Sequence, residues 1–459
     1  MAASKQLTRG FDLIIKNGQV ALPGLAKPEI NDIKVENGKI AAIAPNIISE
    51  GDIIDADGLL VLPGGIDPHV HFNDPGYVHR EDFYTGTAFA ASGGITTVID
   101  MPCTSIPPVT NRANFDVKYQ AIKDKAVIDY CLFGGISAQS FESGFPGNME
   151  ELAECVVGFK TYFLSGMESF GSLNKSQFED VLEAARVLKR PVLLHAEDKA
   201  FVEAATIEAK KSGNEPKDFY NSRPEKAEIL AVSKAVRIAE RVGAELHIVH
   251  IGTADAAELV PGGKITCETA PHYLEFDTED FTRIGSPLKV TPPVKSPENK
   301  SKLWKFLANG KISFVASDHA PCTKEEKNTG SIWTDYSGIP GTGTIFPYIL
   351  SEGYFKKRLS LKKFIEVTSS NAARRYGIFD RKGSIEVGKD ADFVLIDPNR
   401  SWVVEGDKFL SKGKITPFER MELKGKIIKT ILRGEIIYDT KRGITLKNGF
   451  GKLLFSKYN

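Results

Sequence analysis

The sequence predicts an α/β fold built on an eight-stranded βα barrel of the TIM type. Short runs rich in Val, Ile and Leu recur through the middle of the 459-residue chain, and each is followed by a helical or loop-like stretch. Such runs are typical of strands that are buried on both faces of a parallel sheet. Several of the runs carry a polar residue at their end, and the carboxyl ends of barrel strands converge on one site.

The two ends of the chain differ in pattern from the middle. From about residue 10 to 60, strand-like runs such as FDLIIKNGQVALP and DIKVENGKIAAIAP are separated by Asn-Gly, Asp-Gly and Pro. Asn-Gly pairs between apolar runs predict hairpins. The same pattern returns after about residue 385, in ADFVLIDP and KIIKTILRGEIIYDT. We therefore divide the chain into a β-rich part over residues 1–60, a barrel over residues 61–384, and a second β-rich part over residues 385–459.

The predicted barrel strands follow one another along the middle of the chain. They are VLPGGID, TTVIDMP, VIDYCLFGGI, VVGFKTYF, PVLLHAED, ELHIVHIG, ITCETAPHYL and KISFVASDHAP. Two of the stretches between them, SQFEDVLEAARVLKR and EKAEILAVSKAVRIAERVG, place apolar residues three and four apart, which is the spacing of a helix with one buried face. We expect these helices to cover the outside of the barrel.

The most informative residues are His69 and His71, which follow the first predicted barrel strand in GGIDPHVHFNDPG. Side chains alternate faces along a strand, so the two imidazoles point the same way with Val70 between them. Two imidazoles on one face of a strand end can hold one divalent cation. A pair of hydrogen-bonded surface histidines fits the same short motif, so the motif alone leaves both interpretations open.

Four further strands carry residues of the ligand type, namely Lys160, His195, His250 and Asp318. Taken singly, each histidine could be a core residue, and the aspartate could be a helix N-cap. A buried, unpaired lysine is harder to explain, because burying its charge is costly. Five strands with such residues are too many for chance packing, so we predict that they form one cluster at the mouth of the barrel.

The composition limits the partners and the compartment. The 59 basic and 59 acidic residues leave no electrostatic footprint for nucleic acid or an anionic membrane. No stretch is long and apolar enough to span a bilayer, and the first residues lack the apolar core of a signal peptide. The five cysteines form no CxxC pair, which is typical of reduced thiols. We therefore expect a cytoplasmic protein that binds neither nucleic acid nor membranes.

In combination, these motifs resemble those of the cyclic amidohydrolases, a family that includes allantoinases, dihydroorotases and hydantoinases. The shared motifs are HxH, the lysine in GFK, the histidines in LLHAED and HIVHIG, and the aspartate in SDHAP. The similarity runs from FDLIIKNG to KTILRGEIIYD, which is nearly the whole chain. The resemblance implies a (β/α)8 barrel, one small β-sandwich domain built from both chain ends, and a homo-oligomer, either a tetramer or a dimer.

The resemblance also implies two divalent metal ions. Six residues would hold them: His69, His71 and Asp318 for one ion, His195 and His250 for the other, and Lys160, as a carbamate, for both. A cationic lysine would repel the ions, whereas a carbamate is anionic and bidentate. Zinc is the first expectation, and manganese, cobalt or iron suit the same ligands.

By the same resemblance, a hydroxide shared by the two ions attacks a ring amide carbonyl of a cyclic amide and opens the ring. Asp318 takes the proton of the attacking water and passes it to the leaving nitrogen, which makes this residue catalytic as well as a metal ligand.

The metal ligands do not identify the substrate, because the allantoinases, dihydroorotases and hydantoinases all share them. Dihydroorotases carry an Arg two residues after the second histidine and an Asn in MPNT, with which they hold a carboxylate. This chain has Asn73 and Cys103 at those positions, and a neutral side chain cannot replace an Arg fork. Hydantoinases carry a Tyr five residues after the bridging lysine, where this chain has Ser165.

The allantoinases fit the sequence better. The motifs HFNDPG, EDFYTGT and SDHAPC resemble theirs, although allantoinases read MPLNS where this chain reads MPCTS. This likeness implies that the ring of allantoin is opened to give allantoate. A dihydroorotase, a hydantoinase or dihydropyrimidinase, and a non-catalytic assembly protein stay open as alternatives. The last of these would be expected to lack one or more of the six ligand residues, and all six are present.

Five residues are predicted to contact the substrate: Asn73, Ser165, Thr291, Cys322 and Gly341. Thr291 and Gly341 match positions whose backbone groups contact the cyclic amide in relatives, and ordinary turn chemistry explains both equally well. His272 and His319 are candidates for positions behind the metal ligands, and Asp100 is a candidate for orienting a barrel side chain.

Overall fold

The computed structural model describes residues 13–48, 50–446 and 448–457. Residues 1–12 of the predicted N-terminal part and residues 458–459 of the C-terminal part lie outside the described residues. The strands are β1 (Leu13–Val20), β2 (Glu29–Glu36), β3 (Lys39–Ala44), β4 (Asp52–Asp55), β5 (Leu60–Pro63), β6 (Gly65–Val70), β7 (Ile95–Asp100), β8 (Asp129–Leu132), β9 (Gly134–Gly135), β10 (Phe159–Tyr162), β11 (Val192–His195), β12 (Leu246–Ile248), β13 (Ile265–Thr269), β14 (Phe314–Val315), β15 (Phe393–Val403), β16 (Glu422–Leu432), β17 (Glu435–Asp439) and β18 (Gly443–Ile444).

The helices lie mainly between the barrel strands. They are α1 (Phe83–Ser92), α2 (Arg112–Ile122), α3 (Ala138–Gly144), α4 (Gly147–Ala153), α5 (Lys175–Leu188), α6 (Lys199–Ser212), α7 (Pro216–Asn221), α8 (Glu225–Val242), α9 (Ala254–Glu258), α10 (Pro271–Glu275), α11 (Thr278–Ile284), α12 (Pro297–Asn309), α13 (Lys324–Lys327), α14 (Ile345–Tyr348), α15 (Leu361–Ile365) and α16 (Asn371–Arg375). Short 3₁₀ turns cover Ser286–Leu288 and Gly406–Lys408, and π-helical turns cover Ile349–Phe355 and Glu366–Ser370.

The strands from β6 to β14 form a barrel in which neighbouring strands are parallel. β6, β7 and β8 make one part of the wall, and β9 to β14 make the other. β8 and β9 follow each other directly in the barrel wall and are separated only by Phe133. The barrel closes where Val70 pairs with His319 and where the backbone N–H of His71 donates to the carbonyl of His319 at 2.8 Å. The predicted TIM-type barrel is therefore confirmed.

The two chain ends form one nine-stranded sheet, as predicted for the second domain. β5, from the N-terminal end, pairs antiparallel with β15, from the C-terminal end, so that Val61 lies opposite Leu395. The inward side chains of this sheet, among them Ile15, Val35 and Phe393, make a small apolar core of their own. The domain boundaries at residues 60 and 385 stay predictions.

Two local predictions are wrong. Asn17-Gly18 does not make a hairpin turn but lies inside β1, where the register of β1 against β2 shifts and the Asn17 backbone N–H donates to Asp32 at 2.9 Å. A bulge uses the same positive φ that a hairpin turn needs, so the dipeptide alone cannot distinguish the two. The run ITCETAPHYL is a strand only to Thr269, because Pro271 starts α10.

The helical predictions for α5 and α8 are confirmed. Each helix buries one apolar face, with Phe178 and Leu182 among the buried residues of α5 and Ala231 and Val236 among those of α8. The two helices pack against each other and against β11 and β12. Within the described residues, no helix has both the length and the apolar character that crossing a membrane requires.

A buried ion cluster joins the barrel to the sheet of the chain ends. The Nζ atom of Lys382 lies 2.7 Å from Asp129 at the start of β8, 2.7 Å from Asp392 beside β15, and 3.0 Å from Asp390. The Lys382 side chain is 1% exposed, and these carboxylates hold the pKa of its amine above the ordinary value even though burial lowers it. One buried cation therefore pairs with carboxylates from both parts of the structure.

We predict that Lys382→Met destabilises the protein by about 3–5 kcal/mol, because it removes the buried cation that pairs with Asp392, although Asp129 keeps Arg433 and Asp390 keeps Arg381 and Lys39. The matched control is Lys39→Met. Lys39 also pairs with Asp390 at 3.0 Å, but its side chain is 50% exposed, so its loss should cost less than about 1 kcal/mol. Urea unfolding of both variants measures the difference, and equal effects would contradict the role given to the cluster.

Candidate metal centre

Three ligand-type side chains meet at the seam where the barrel closes. Asp318 follows β14, and its Oδ1 atom lies 3.2 Å from Nε2 of His69 and 3.2 Å from Nε2 of His71. One ligand atom from each of the three residues lies within 4.8 Å of the other two. This first group could hold a metal ion, and it forms because closure brings the two outermost strands of the barrel wall side by side.

The carboxyl of Asp318 is held in its ionised form. Burial opposes ionisation, but His69, His71 and His250 outweigh that effect and keep the pKa of Asp318 well below its ordinary value. An ionised carboxylate has acceptor oxygens only, so it can bind a cation or accept a proton.

His195 and His250 form a second group beside the first. His195 Nδ1 lies 3.0 Å from His250 Nε2, and the His69 and His250 ring centroids lie 5.5 Å apart. His195 Nε2 lies 2.7 Å from a carboxylate oxygen of Glu197. Because a carboxylate accepts the Nε2 proton, the lone pair of His195 lies on Nδ1, the atom that faces His250.

Lys160 lies close to both groups. Its side chain is fully buried, and its Nζ atom has no hydrogen-bond partner among the described residues. Burial lowers the pKa of Lys160 to about 8. Burial also lowers the pKa values of His69, His195 and His250, and the charge of Lys160 lowers all three further. A neutral amine without a partner can react with carbon dioxide to give a carbamate.

Three non-glycine residues at the barrel mouth adopt a left-handed backbone conformation. They are Asn73, with a φ of 59°, His250, with a φ of 39°, and Asp318, with a φ of 49°. Such conformations cost on the order of 1–3 kcal/mol each and persist only where the surroundings impose them. Their position at the two ligand groups is consistent with a functional constraint on where these side chains point.

Two buried carboxylates stand behind the ligands and were not predicted as site residues. Glu268 Oε1 lies 2.6 Å from Nδ1 of His69, on the opposite side of that ring from Asp318. Glu197 holds His195 as described above. Both lie within predicted strand runs, ITCETAPHYL and PVLLHAED, so the available signal was an acidic residue in an apolar strand, which is costly unless it is paired.

The backbone next to the first group is also fixed by buried carboxylates. Asp100 accepts the backbone N–H of Phe72 at 2.8 Å, immediately after His71. Asp67 accepts the backbone N–H of Ser317 at 3.0 Å, immediately before Asp318. Asp100 thus holds the main chain through one carboxylate oxygen, and its other oxygen lies 2.6 Å from Nζ of the buried Lys118 on α2, so it contacts a helix side chain as well.

Asn73 is fully buried beside the first group. Its Nδ2 atom donates to the carbonyl of His71 at 3.2 Å, and its Oδ1 atom has no donor within the described part of the chain. A buried acceptor without a donor is costly, and the described residues supply no N–H partner for this oxygen.

Cys103 and Tyr162 lie on the other side of His71. Cys103 Sγ lies 3.1 Å from the hydroxyl of Tyr162 and 3.8 Å from Nδ1 of His71. The ring of Tyr162 stacks on that of His195, with centroids 5.2 Å apart. The sequence did not single out Tyr162, although it stands two residues after Lys160 on the same face of β10.

The other four predicted substrate contacts are placed less clearly. The Ser165 hydroxyl accepts the backbone N–H of Met167, and the Gly341 N–H donates to Nδ1 of His319 at 3.0 Å. Thr291 is partly exposed, and Cys322 is buried with its thiol pKa raised by burial to about 11. The groups of Ser165 and Gly341 are thus already used within the protein, and the role of all four residues in binding a substrate stays a prediction.

The donor set fits divalent metal ions. Burial lowers the pKa of three of the histidines and so favours the neutral form, which binds metals. Burial also lowers the pKa of His71, but Cys103 and Asp318 outweigh that effect and raise it to about 10, a rise that a bound cation would oppose. Burial also raises the pKa of Glu268 well above its ordinary value, and the charge of Lys160 opposes that rise. Cations at the two groups would add to this opposition and would stabilise the buried carboxylates of Glu268 and Asp318.

Comparisons with known proteins agree with this geometry. Allantoinases from Escherichia coli O1:K1 and from Rubrobacter xylanophilus are each 38% identical to the chain, over 94% and 95% of its length and 96% of theirs. The structure of L-hydantoinase from Arthrobacter aurescens matches with a TM-score of 0.92 and 30% identity, covering 97% of this chain and 100% of that one. A dihydropyrimidinase from Brevibacillus agri matches with a TM-score of 0.89 and 28% identity, covering 98% of this chain and 100% of that one.

The predicted family, fold and enzyme class are thus confirmed, and the protein is a hydrolase that acts on cyclic amides. The model of the amidohydrolase family matches residues 60–437, which span the whole barrel, and the chain therefore belongs to the amidohydrolase family.

Proposed function

We propose that the protein opens the ring of a neutral cyclic ureide, and that this substrate is allantoin, which it hydrolyses to allantoate. The observation that carries the proposal is the buried, unpaired Oδ1 atom of Asn73 beside the metal ligand His71. Ring and side-chain N–H groups of a ureide can donate to this oxygen. A substrate carboxylate could only repel it, because both groups are acceptors.

Two lysines that could bind a carboxylate in place of an Arg already have backbone partners. Lys327 Nζ donates to three backbone carbonyls, those of Lys289, Tyr336 and Gly338, at 2.7 to 3.0 Å. Lys295 Nζ donates to the carbonyl of Arg223 at 3.2 Å. This supports a neutral substrate over dihydroorotate, whose carboxylate would be desolvated without a partner.

The allantoinases and the hydantoinases to which the chain is similar suggest two different substrates for the same kind of ring-opening hydrolysis. The allantoinases are 38% identical to this chain, whereas the L-hydantoinase is 30% identical. The high structural similarity to the hydantoinase and the dihydropyrimidinase makes hydrolysis of a hydantoin or a dihydropyrimidine the second candidate. Ser165 stands where hydantoinases carry a tyrosine, which favours allantoin. The homo-oligomer stays a prediction.

Two divalent ions, when bound, would supply an activated water and polarise the ring carbonyl. We propose that His69, His71 and Asp318 would hold one ion, that His195 and His250 would hold the other, and that Lys160, as a carbamate, would be a ligand for both. The 3.2 Å and 3.0 Å approaches within the two groups support this division.

In this proposal the other steps are carried out by the protein itself. Asn73 orients the ureide through its free acceptor. Water adds to the ring carbonyl carbon, and Asp318 accepts the proton that the water loses. The C–N bond of the ring then breaks, the same proton passes from Asp318 to the leaving nitrogen, and the product carries a carboxylate and a free urea or amide nitrogen.

Lys160→Ala should lose most of the bound metal and nearly all activity, because the two groups would lose their shared ligand. A short carboxylic acid added to the variant should restore part of both. Metal analysis and turnover of the same samples measure this, with the unfolding temperature of the metal-free proteins as the control for folding. An unmodified amine at Lys160 in a metal-loaded crystal would contradict the proposal that this lysine carries a carbamate.

Asp318→Asn should lower turnover by about two to four orders of magnitude, the usual contribution of general acid–base catalysis. The amide is isosteric and can still ligate through its oxygen, so part of the metal should stay bound. Turnover and metal content are measured together. Near-normal turnover with both ions present would rule out the proton transfer by Asp318.

The specificity constant for allantoin should exceed that for dihydroorotate by at least about two orders of magnitude, because the neutral Asn73, which stands in place of the Arg, cannot pair with the substrate carboxylate. The panel is allantoin, dihydroorotate, hydantoin and dihydrouracil, tested at one pH and one metal content. A preference for dihydroorotate would refute the proposal, and a preference for hydantoin or dihydrouracil would select the second candidate.

A further inference from the structure

Glu268 makes contacts with both ligand groups at once. It lies on β13, in the interior of the barrel, and its side chain is fully buried. Its Oε1 atom lies 2.6 Å from Nδ1 of His69, a ligand of the first group. The same oxygen accepts the backbone N–H of His250, a ligand of the second group, at 3.4 Å.

The main chain of Glu268 holds the same segment. Its carbonyl accepts the backbone N–H of Ile251 at 2.8 Å. Side chain and main chain of one residue therefore fix the turn in which His250 adopts its left-handed conformation, with a φ of 39°. A strained backbone of this kind needs such support from its surroundings.

The second carboxylate oxygen of Glu268 contacts a buried histidine, His247. Glu268 Oε2 lies 3.2 Å from Nε2 of His247, and Nδ1 of His247 lies 2.8 Å from the hydroxyl of Thr266. His247 is fully buried and stacks on Phe314, with ring centroids 4.7 Å apart. The carboxylate thus has a partner on each oxygen, and its position is set by packed side chains rather than by solvent.

Glu197 offers a direct comparison, because it supports one group only. It holds Nε2 of His195 at 2.7 Å and pairs with Arg223 at the edge of the site. Both carboxylates fix the tautomer of a histidine, so both resemble the outer partners that metal-bound histidines usually have. They differ in that Glu268 alone of this pair contacts the first and the second group.

We propose that Glu268 is a positioning residue that sets the distance between the two metal groups and keeps a lone pair on Nε2 of His69. Its carboxylate accepts the Nδ1 proton of His69, which leaves Nε2 free for a cation. By holding the His250 backbone with the same oxygen, it fixes His250 relative to His69. This inference rests on the proposed metal roles of His69 and His250.

Three variants separate this role from a general loss of stability. Glu268→Met keeps the volume but removes both acceptors, so both metal affinities should fall by about 10-fold to 100-fold. Glu268→Gln can still accept from His69 and His250 and donate to His247, so it should stay within about tenfold of the wild type. Glu197→Met should weaken the binding of one ion and spare the other.

The test is a zinc titration of the metal-free proteins against a competing chelator, which needs no substrate. Unfolding temperatures of the metal-free forms show whether each variant is folded. If Glu268→Met does not fold, Glu268→Asp replaces it. This variant keeps the charge, but it is one methylene too short to reach His69 and His250 together, and it should also weaken both sites.

Each result has a definite meaning. Loss of affinity at both sites in Glu268→Met or Glu268→Asp, with Glu268→Gln near the wild type, supports the inference. Wild-type affinities in those variants, or the loss of one site only as in Glu197→Met, overturn it. A wild-type protein that binds no zinc would instead overturn the metal roles in the proposed function, so the two failures are distinguishable.

Discussion

The site depends on the closure of the barrel, where the segment after β6 meets the segment after β14. The His71 N–H donates to the His319 carbonyl at 2.8 Å, and Asp67 accepts the backbone N–H of Ser317 at 3.0 Å. These bonds place Asp318 against two histidines that stand about 250 residues earlier in the chain. Without closure, the residues of the first group would lie on opposite edges of an open sheet.

A layer of buried carboxylates beneath the ligands maintains this arrangement. Glu268 and Glu197 fix the tautomers of two histidines, while Asp67 and Asp100 hold the backbone beside the first group. Carboxylates without exposure to water are unfavourable unless positive charge is near. The metal ions that we propose would supply that charge, so the layer that orients the ligands and the cations that they hold would stabilise each other.

Much of the fold could be predicted from the sequence, because buried parallel strands appear as apolar runs and their ends mark the barrel mouth. His195 and Asp318 could be found for that reason. The acidic Glu268 within an apolar run was a signal, but its role could not be predicted, because its partners His69 and His247 lie on other strands and only the closed barrel brings them together. Asn17 is a second case in which contacts distant in sequence decide the structure. The residues around it fit a turn and a bulge equally well, and the pairing of β1 with β2 selects the bulge.

The most direct test of the account is a titration of the metal-free protein with zinc, in which bound metal and hydrolysis of allantoin are measured on the same sample. If two bound ions supply the activated water, hydrolysis should be absent without metal and reach its maximum when two ions are bound per chain. Full hydrolysis by the metal-free protein would contradict it, and so would a protein that binds two ions per chain but leaves allantoin intact.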